Sequence, residues 1–189
     1  MLFFLGYTSY QQQLVLKTTK EKVADITEEV SFVYAEFKKA VDLQKQSEGL
    51  AQGDTAPAFE LLDTDKTPQR LTDLAPNKQK LLVFSSASCP YCKEYYPELA
   101  AFAKGNSNIE VVIIQSGATV EENKKLIADN GFSFKVLEGT PDVYAKYRVE
   151  GTPTTMLVST TNIVQAVGYP ITQTELKSLI ENVEETSAS

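Results

Sequence analysis

The chain has 189 residues, 42% of them hydrophobic and 23% charged, which suits one soluble domain with an appendage. Its 25 acidic and 18 basic residues leave a formal charge of −7, which argues against a nucleic-acid binder that must neutralise phosphates. With no histidine, Ser-His-Asp and Cys-His catalysis are excluded, and two cysteines plus carboxylates are a poor basis for zinc. We therefore expect neither a metal nor a cofactor.

The first ten residues begin apolar, with Met1-Leu-Phe-Phe-Leu5, and then turn polar. A bilayer span needs about 20 apolar residues, and the basic start and cleavage site of a signal peptide are lacking. The segment reads either as the stub of a longer anchor or as a sticky terminus. From Leu14 to Gln46 the pattern is helical. Leu16, Val23, Ile26, Val30, Val33, Phe37 and Ala40 form an a/d stripe, with charged residues such as Lys22, Glu29 and Lys38 elsewhere on the surface. Such a stripe must be covered, by the rest of the chain or by a second copy. We divide the chain into an amphipathic helical arm, 1–49, serving as anchor stub or stalk, and a domain over 50–189.

Strands and helices then alternate. Phe59–Leu62 and Gln69–Leu71 read as a hairpin, and Lys80–Ser85 as a buried central strand. A helix is expected from Pro90 to Lys104, closed by Gly105-Asn106, and a second buried strand over Ile109–Gln115. Thr119 and Glu122 predict a capping box for a helix ending at Asn130-Gly131. After a short strand at Phe134–Leu137, Thr140 caps a helix with Pro141 at its first position. Met156–Ser159 and Ile163–Gly168 make a second hairpin. Thr172 and Glu175 cap a last helix, and the tail from Glu184 to Ser189 is expected to fray. The order predicts a mixed sheet covered by helices.

Cys89 and Cys92 are the only cysteines, three positions apart, where a strand and the turn Ser85-Ser-Ala-Ser88 give way to a helix. A loop that short is a weak structural staple. Cys89 falls at the helix N-cap, where unpaired N–H groups and the helix dipole favour a thiolate. Cys92, inside the first turn, is placed to resolve a mixed disulfide on Cys89.

Cys89-Pro-Tyr-Cys92 at such a turn resembles the active site of thioredoxin-fold proteins. Pro97 matches the proline that kinks their active-site helix, and Glu150-Gly-Thr-Pro-Thr154 resembles their cis-proline loop. Gly53-Asp-Thr-Ala-Pro-Ala-Phe-Glu-Leu61 and Leu71-Thr-Asp-Leu74 look like the N-terminal hairpin of the TlpA/ResA and MauD-like group. The resemblance covers roughly residues 50 to 183. It implies a thioredoxin-like α/β fold with an N-terminal β-hairpin extension, preceded here by the N-terminal helix. It also implies catalytic Cys89 and Cys92, a substrate surface at Pro90, Tyr91, Thr152 and Pro153, and a cis Pro153. Protein thiols or disulfides and an upstream redox protein would be the partners. Members are commonly exported or membrane-tethered, which implies an extracytoplasmic reductase.

This chain departs from the pattern. Ser88 stands where a tryptophan is usual, Val83 where thioredoxins carry a buried aspartate, and Tyr95 where cytochrome-maturation reductases have a glutamate. Proton handling or pKa tuning then falls to Lys93, Glu94, Tyr95 or water. The Pro-Tyr dipeptide is that of glutaredoxins, which hints at a potential of about −200 to −230 mV rather than about −270 mV. A dimeric isomerase or oxidase using the arm is the alternative, and a non-catalytic binding or chaperone module is a second. A peroxiredoxin is disfavoured, because Leu82 holds its required proline position.

Overall fold

The computed structural model describes residues 16–17, 19–20, 22–39 and 49–187. The expectations for Met1–Tyr10 and for the end of the arm at 40–48 lie outside them. The chain divides into two compact units, Met1–Glu48 and Gly49–Ser189.

In the first unit the described residues are helical, and we label 22–39 α1. Leu16, Val23, Ile26, Val30, Val33 and Phe37 are all more than half exposed. No helix among the described residues is long and apolar enough to cross a membrane.

The second unit begins with a two-stranded hairpin, β1 (Glu60–Leu62) and β2 (Pro68–Arg70), paired antiparallel. Asp63 closes its turn by accepting from the N–H groups of Asp65 and Thr67. There follow β3 (Gln79–Ser86), α2 (Pro90–Gly105), β4 (Ile109–Ser116), α3 (Val120–Asn130), β5 (Lys135–Glu138), α4 (Pro141–Lys146), β6 (Thr154–Val158), β7 (Val164–Gly168) and α5 (Gln173–Ser187). The main sheet runs β5-β4-β3-β6-β7. β3, β4 and β5 are parallel, whereas β6 pairs antiparallel with both β3 and β7. This is the helix-flanked mixed sheet, with hairpin extension and preceding helix, that the sequence predicts.

The period of two in the central strands builds two cores. Leu81, Val83, Val111 and Ile113 face one side, where α2 contributes Tyr95, Tyr96, Leu99 and Phe102 and α5 contributes Leu176 and Val183. Leu82, Phe84, Val112 and Ile114 face the other, against Phe59, Leu61, Leu71 and Leu74 of the hairpin region and Val143 and Tyr147 of α4. Each such Leu or Ile, fully buried, contributes roughly 1.5–3 kcal/mol over an exposed one. The continuous apolar runs are thus the consequence of covering both faces.

Both predicted capping boxes form. Thr119 Oγ1 accepts from Glu122 N at 3.2 Å while Glu122 Oε2 accepts from Thr119 N at 2.7 Å. Thr172 and Glu175 repeat the arrangement at α5. Most strand boundaries shift by one residue from expectation, and two boundaries shift further. β6 starts at Thr154, two residues early, because Thr154 pairs with Phe84 across the sheet. α5 continues to Ser187, through most of the polar stretch expected to fray.

Candidate active site

β3, the central strand, ends at Ser86, and a turn closed by Cys89 N donating to Ser86 O at 3.0 Å leads into α2. Cys89 is the N-cap, with extended backbone (φ −81°, ψ 114°), and Pro90 occupies the first turn, where a missing N–H costs nothing. Cys89 and Cys92 are joined by a disulfide, their Cα atoms 5.3 Å apart. The Cys92 N–H donates to Cys89 Sγ at 3.1 Å. The first turn of α2 holds no acidic residue that would oppose a negative charge on that sulfur.

Cys89 is 7% exposed and Cys92 is fully buried, so only the first sulfur can be approached from solvent. Pro90 and Tyr91 are exposed beside it, and Lys93 and Glu94 project from the next positions of the helix. Tyr95 does not share that surface. It is buried under the sheet, its hydroxyl 3.5 Å from Thr155 Oγ1, and burial holds its phenol well above the usual tyrosine range.

The loop before β6 closes the other side. The Thr152–Pro153 peptide is cis, Pro153 is buried, and Thr152 O lies 3.2 Å from Cys89 Sγ. The Thr152 N–H makes no hydrogen bond among the described residues. Thr154 Oγ1 ties the loop by donating to Gly151 O at 2.6 Å. The structure therefore brings Cys89, Pro90, Tyr91, Cys92, Thr152 and Pro153 together, puts Lys93 and Glu94 at the rim, and sends Tyr95 into the core.

This placement is accompanied by a family match. A family model described as the AhpC/TSA family covers residues 52–167, more than half of the chain. The chain belongs to the AhpC/TSA family. Among curated proteins, this family member is 30% identical over 130 residues to the methylamine utilization protein MauD of Paracoccus denitrificans, covering 68% of this chain and 64% of that one. To the MauD of Methylobacillus flagellatus it is 24% identical over 130 residues, covering 68% and 62%. The chain thus spans less than two thirds of the length of these relatives.

Among solved structures, the thioredoxin domain of a thiol-disulfide oxidoreductase from Bacteroides vulgatus superposes with a TM-score of 0.60 at 21% identity, covering 68% of this chain and 97% of that one. A secreted disulfide oxidoreductase of Mycobacterium tuberculosis, homologous to E. coli DsbE, gives 0.58 at 20% identity, covering 66% and 95%. These likenesses establish the thioredoxin-like fold. With the similarity to MauD, they agree with the resemblance to the TlpA/ResA and MauD-like group.

One part of the site escapes a reading by motif. Behind the cysteine turn, Tyr96 OH donates to Gln115 Oε1 at 3.0 Å and lies 2.6 Å from Ser85 Oγ. All three residues are buried. Burial raises the Tyr96 phenol, and these hydrogen bonds partly offset that rise. The available signal was Ser85 and Gln115, polar residues at the ends of apolar strands. Among the described residues, no group of three or more His, Cys, Asp or Glu side chains could hold a metal.

Proposed function

We propose that the chain is a thiol–disulfide oxidoreductase that exchanges disulfides with protein substrates through Cys89 and Cys92, acting outside the cytoplasm as a reductase. The observation that carries this reading is the disulfide at the start of α2, with the slightly exposed Cys89 facing the Thr152–Pro153 loop and Cys92 fully buried.

In the reducing direction the Cys89 thiolate attacks one sulfur of a substrate disulfide. A Cys89–substrate disulfide forms and one substrate thiolate leaves. Cys92, as its thiolate, then attacks Cys89 Sγ, expelling the second substrate thiolate and restoring the Cys89–Cys92 disulfide. The substrate gains two electrons, and an upstream dithiol must return two to the pair. Pro90, Tyr91, Thr152 and Pro153 form the surface against which the substrate backbone lies, with the Thr152 N–H and O as its pairing groups. The rim residues Lys93 and Glu94 tune the charge at the thiolate and exchange protons with water. Tyr95, being buried, acts only as a neutral hydroxyl.

The extracytoplasmic assignment draws on the likeness to the secreted M. tuberculosis oxidoreductase. In this reading the 1–49 arm is an anchor stub or stalk, and 50–189 is the catalytic domain. The exposed stripe of α1 favours a second reading, a dimeric isomerase or oxidase joined through that helix. The non-catalytic module has no observation in its favour.

The reduction potential of the pair tests the direction. A value at or below about −270 mV, from equilibration with dithiothreitol and thiol trapping, supports a reductase. A value of about −120 to −180 mV supports an oxidase or isomerase, and sedimentation would then ask whether the chain is a dimer. A pair that cannot be cycled sinks the proposal.

A further inference from the structure

Ser85 stands four residues before Cys89, and Tyr96 stands four residues after Cys92. Their hydroxyl oxygens lie 2.6 Å apart, and Tyr96 OH donates onward to Gln115 Oε1 at 3.0 Å. Since the phenol proton goes to Gln115, Ser85 Oγ is the donor in the shorter contact. This chain of hydroxyls closes a loop that contains both cysteines, and it fastens α2 to β3 and β4 at once. Ser85 is fully buried, and Tyr96 and Gln115 are nearly so. Away from water such bonds are at their strongest.

Ser85 is a fixed anchor for this tie. Its N–H donates to Tyr144 OH at 3.0 Å, and its carbonyl accepts from Tyr144 OH and from Ser116 Oγ. Ala87 N then donates to Ser116 O and Cys89 N to Ser86 O, both at 3.0 Å, so the strand side of the turn is held as far as the first cysteine. On the helix side, Tyr96 makes the corresponding hold. Its neighbour Tyr95 reaches β6 only through Thr155 at 3.5 Å, long for a pair of hydroxyls. In the oxidised chain the disulfide itself joins the two sides. Once it is reduced, the Ser85–Tyr96–Gln115 chain is the side-chain tie that keeps Cys92 against Cys89.

We propose that Ser85, Tyr96 and Gln115 are positioning residues that set the redox equilibrium of the pair, by holding the two thiols at bonding distance in the reduced chain. The inference rests on the disulfide-exchange reading above. Thiols kept in place by a rigid frame have a high effective concentration toward each other, which favours closing the disulfide. Closing forms the Cys89–Cys92 bond and passes two electrons and the two thiol hydrogens to an oxidant disulfide, which leaves as two thiols. Linkage makes the effect mutual: the Cys89–Cys92 bond strengthens the fold more when the hydroxyl chain is intact.

The test equilibrates the full chain in glutathione or dithiothreitol buffers and reads the oxidised fraction by acid quenching and thiol trapping. In Tyr96→Phe the equilibrium constant for closing the disulfide should fall at least about three-fold, a rise in potential of at least about 14 mV. Ser85→Ala is the milder change and should lower the constant about two-fold, so the question stands even if Tyr96→Phe does not fold. Tyr147→Phe is the control. It deletes an equally buried hydroxyl, bonded to Pro57 O at 2.8 Å in the other core, and should leave the constant unchanged. Urea unfolding in both redox states completes the cycle. The folding constant of Tyr96→Phe should drop at least about three-fold further in the oxidised chain than in the reduced one, and that of Tyr147→Phe equally in both. The parent's constant in a folded Tyr96→Phe or Ser85→Ala, an equal fall in Tyr147→Phe, or equal losses of Tyr96→Phe in the two redox states overturns the proposal and leaves the network a support of the fold alone. If the parent pair cannot be cycled in either buffer, the disulfide-exchange reading fails instead.

Discussion

The backbone N–H of Cys92 points at Cys89 Sγ across 3.1 Å, so the helix that carries the fully buried cysteine also solvates the more accessible one. A thiolate on Cys89 keeps that hydrogen bond and gains the field of the α2 N-terminus, with no acidic side chain in the first turn to oppose it. In the reduced chain Cys89 should therefore titrate below the ordinary thiol value of about 8.5. The pH profile of iodoacetamide alkylation, read by mass spectrometry, checks this. Cys92 should stay unmodified throughout, and a Cys89 midpoint above about 8.5 contradicts the assignment of nucleophile.

The same asymmetry predicts which variant traps substrate. Cys92→Ser should accumulate a mixed disulfide on Cys89 with a peptide disulfide, because the resolving sulfur is gone. Cys89→Ser should form none, its remaining thiol being fully buried. Equal trapping by the two variants, on non-reducing gels, would show that burial does not decide the attacking sulfur.

Tyr96→Phe keeps the ring packed edge-to-face on Phe132, their centroids 5.9 Å apart, but deletes the hydroxyl between Ser85 and Gln115. Gln115 Oε1 is then buried without its donor. The expected loss is about 1–3 kcal/mol of stability, read as a shift in the urea midpoint at unchanged m-value. A midpoint equal to that of the parent would show that water replaces the hydroxyl.

Lys80 is a core position occupied by a cation. It is 1% exposed on β3, and among the described residues its Nζ reaches only Asn162 Oδ1, at 3.4 Å. Burial lowers its pKa from the usual lysine value, so the folded state opposes the charge. At neutral pH both states are protonated and the folded chain bears the desolvation cost. That cost disappears as pH rises through the folded pKa towards the unfolded value of about 10.4. Lys80→Met should stabilise the chain by about 1 kcal/mol at pH 7 and by less at pH 10. A destabilised variant at pH 7 would show that the Asn162 contact outweighs the burial of charge.

What could be read along the chain is what neighbouring residues decide among themselves. The cap at Cys89, the proline after it, the boxes at Thr119–Glu122 and Thr172–Glu175, and the apolar run of β3 each involve groups within a turn or a strand of one another. Backbone hydrogen-bonding demands and side-chain periodicity suffice to place them. The redox pair was legible for the same reason: the chemistry needs two sulfurs three residues apart, and a helix N-terminus supplies the charge.

Only the tertiary structure decided what stands opposite these elements. Thr152 O meets Cys89 Sγ across 63 positions because β6 pairs antiparallel with β3, setting the loop before β6 beside the turn after β3. Ser85, Tyr96 and Gln115 meet because β3 and β4 are neighbours and α2 lies over them, and that neighbour relation sends Tyr95 inward rather than to the site. The start of β6 is fixed by its pairing with Phe84 across the sheet. Asn123 Oδ1, buried with no hydrogen-bond partner among the described residues, has the same origin. On a helix surface an asparagine is unremarkable, and only the packing of α3 against its neighbours removes the water that would have satisfied it. Local hydrogen bonding is written in short stretches of sequence, whereas burial is a property of what the rest of the chain brings alongside.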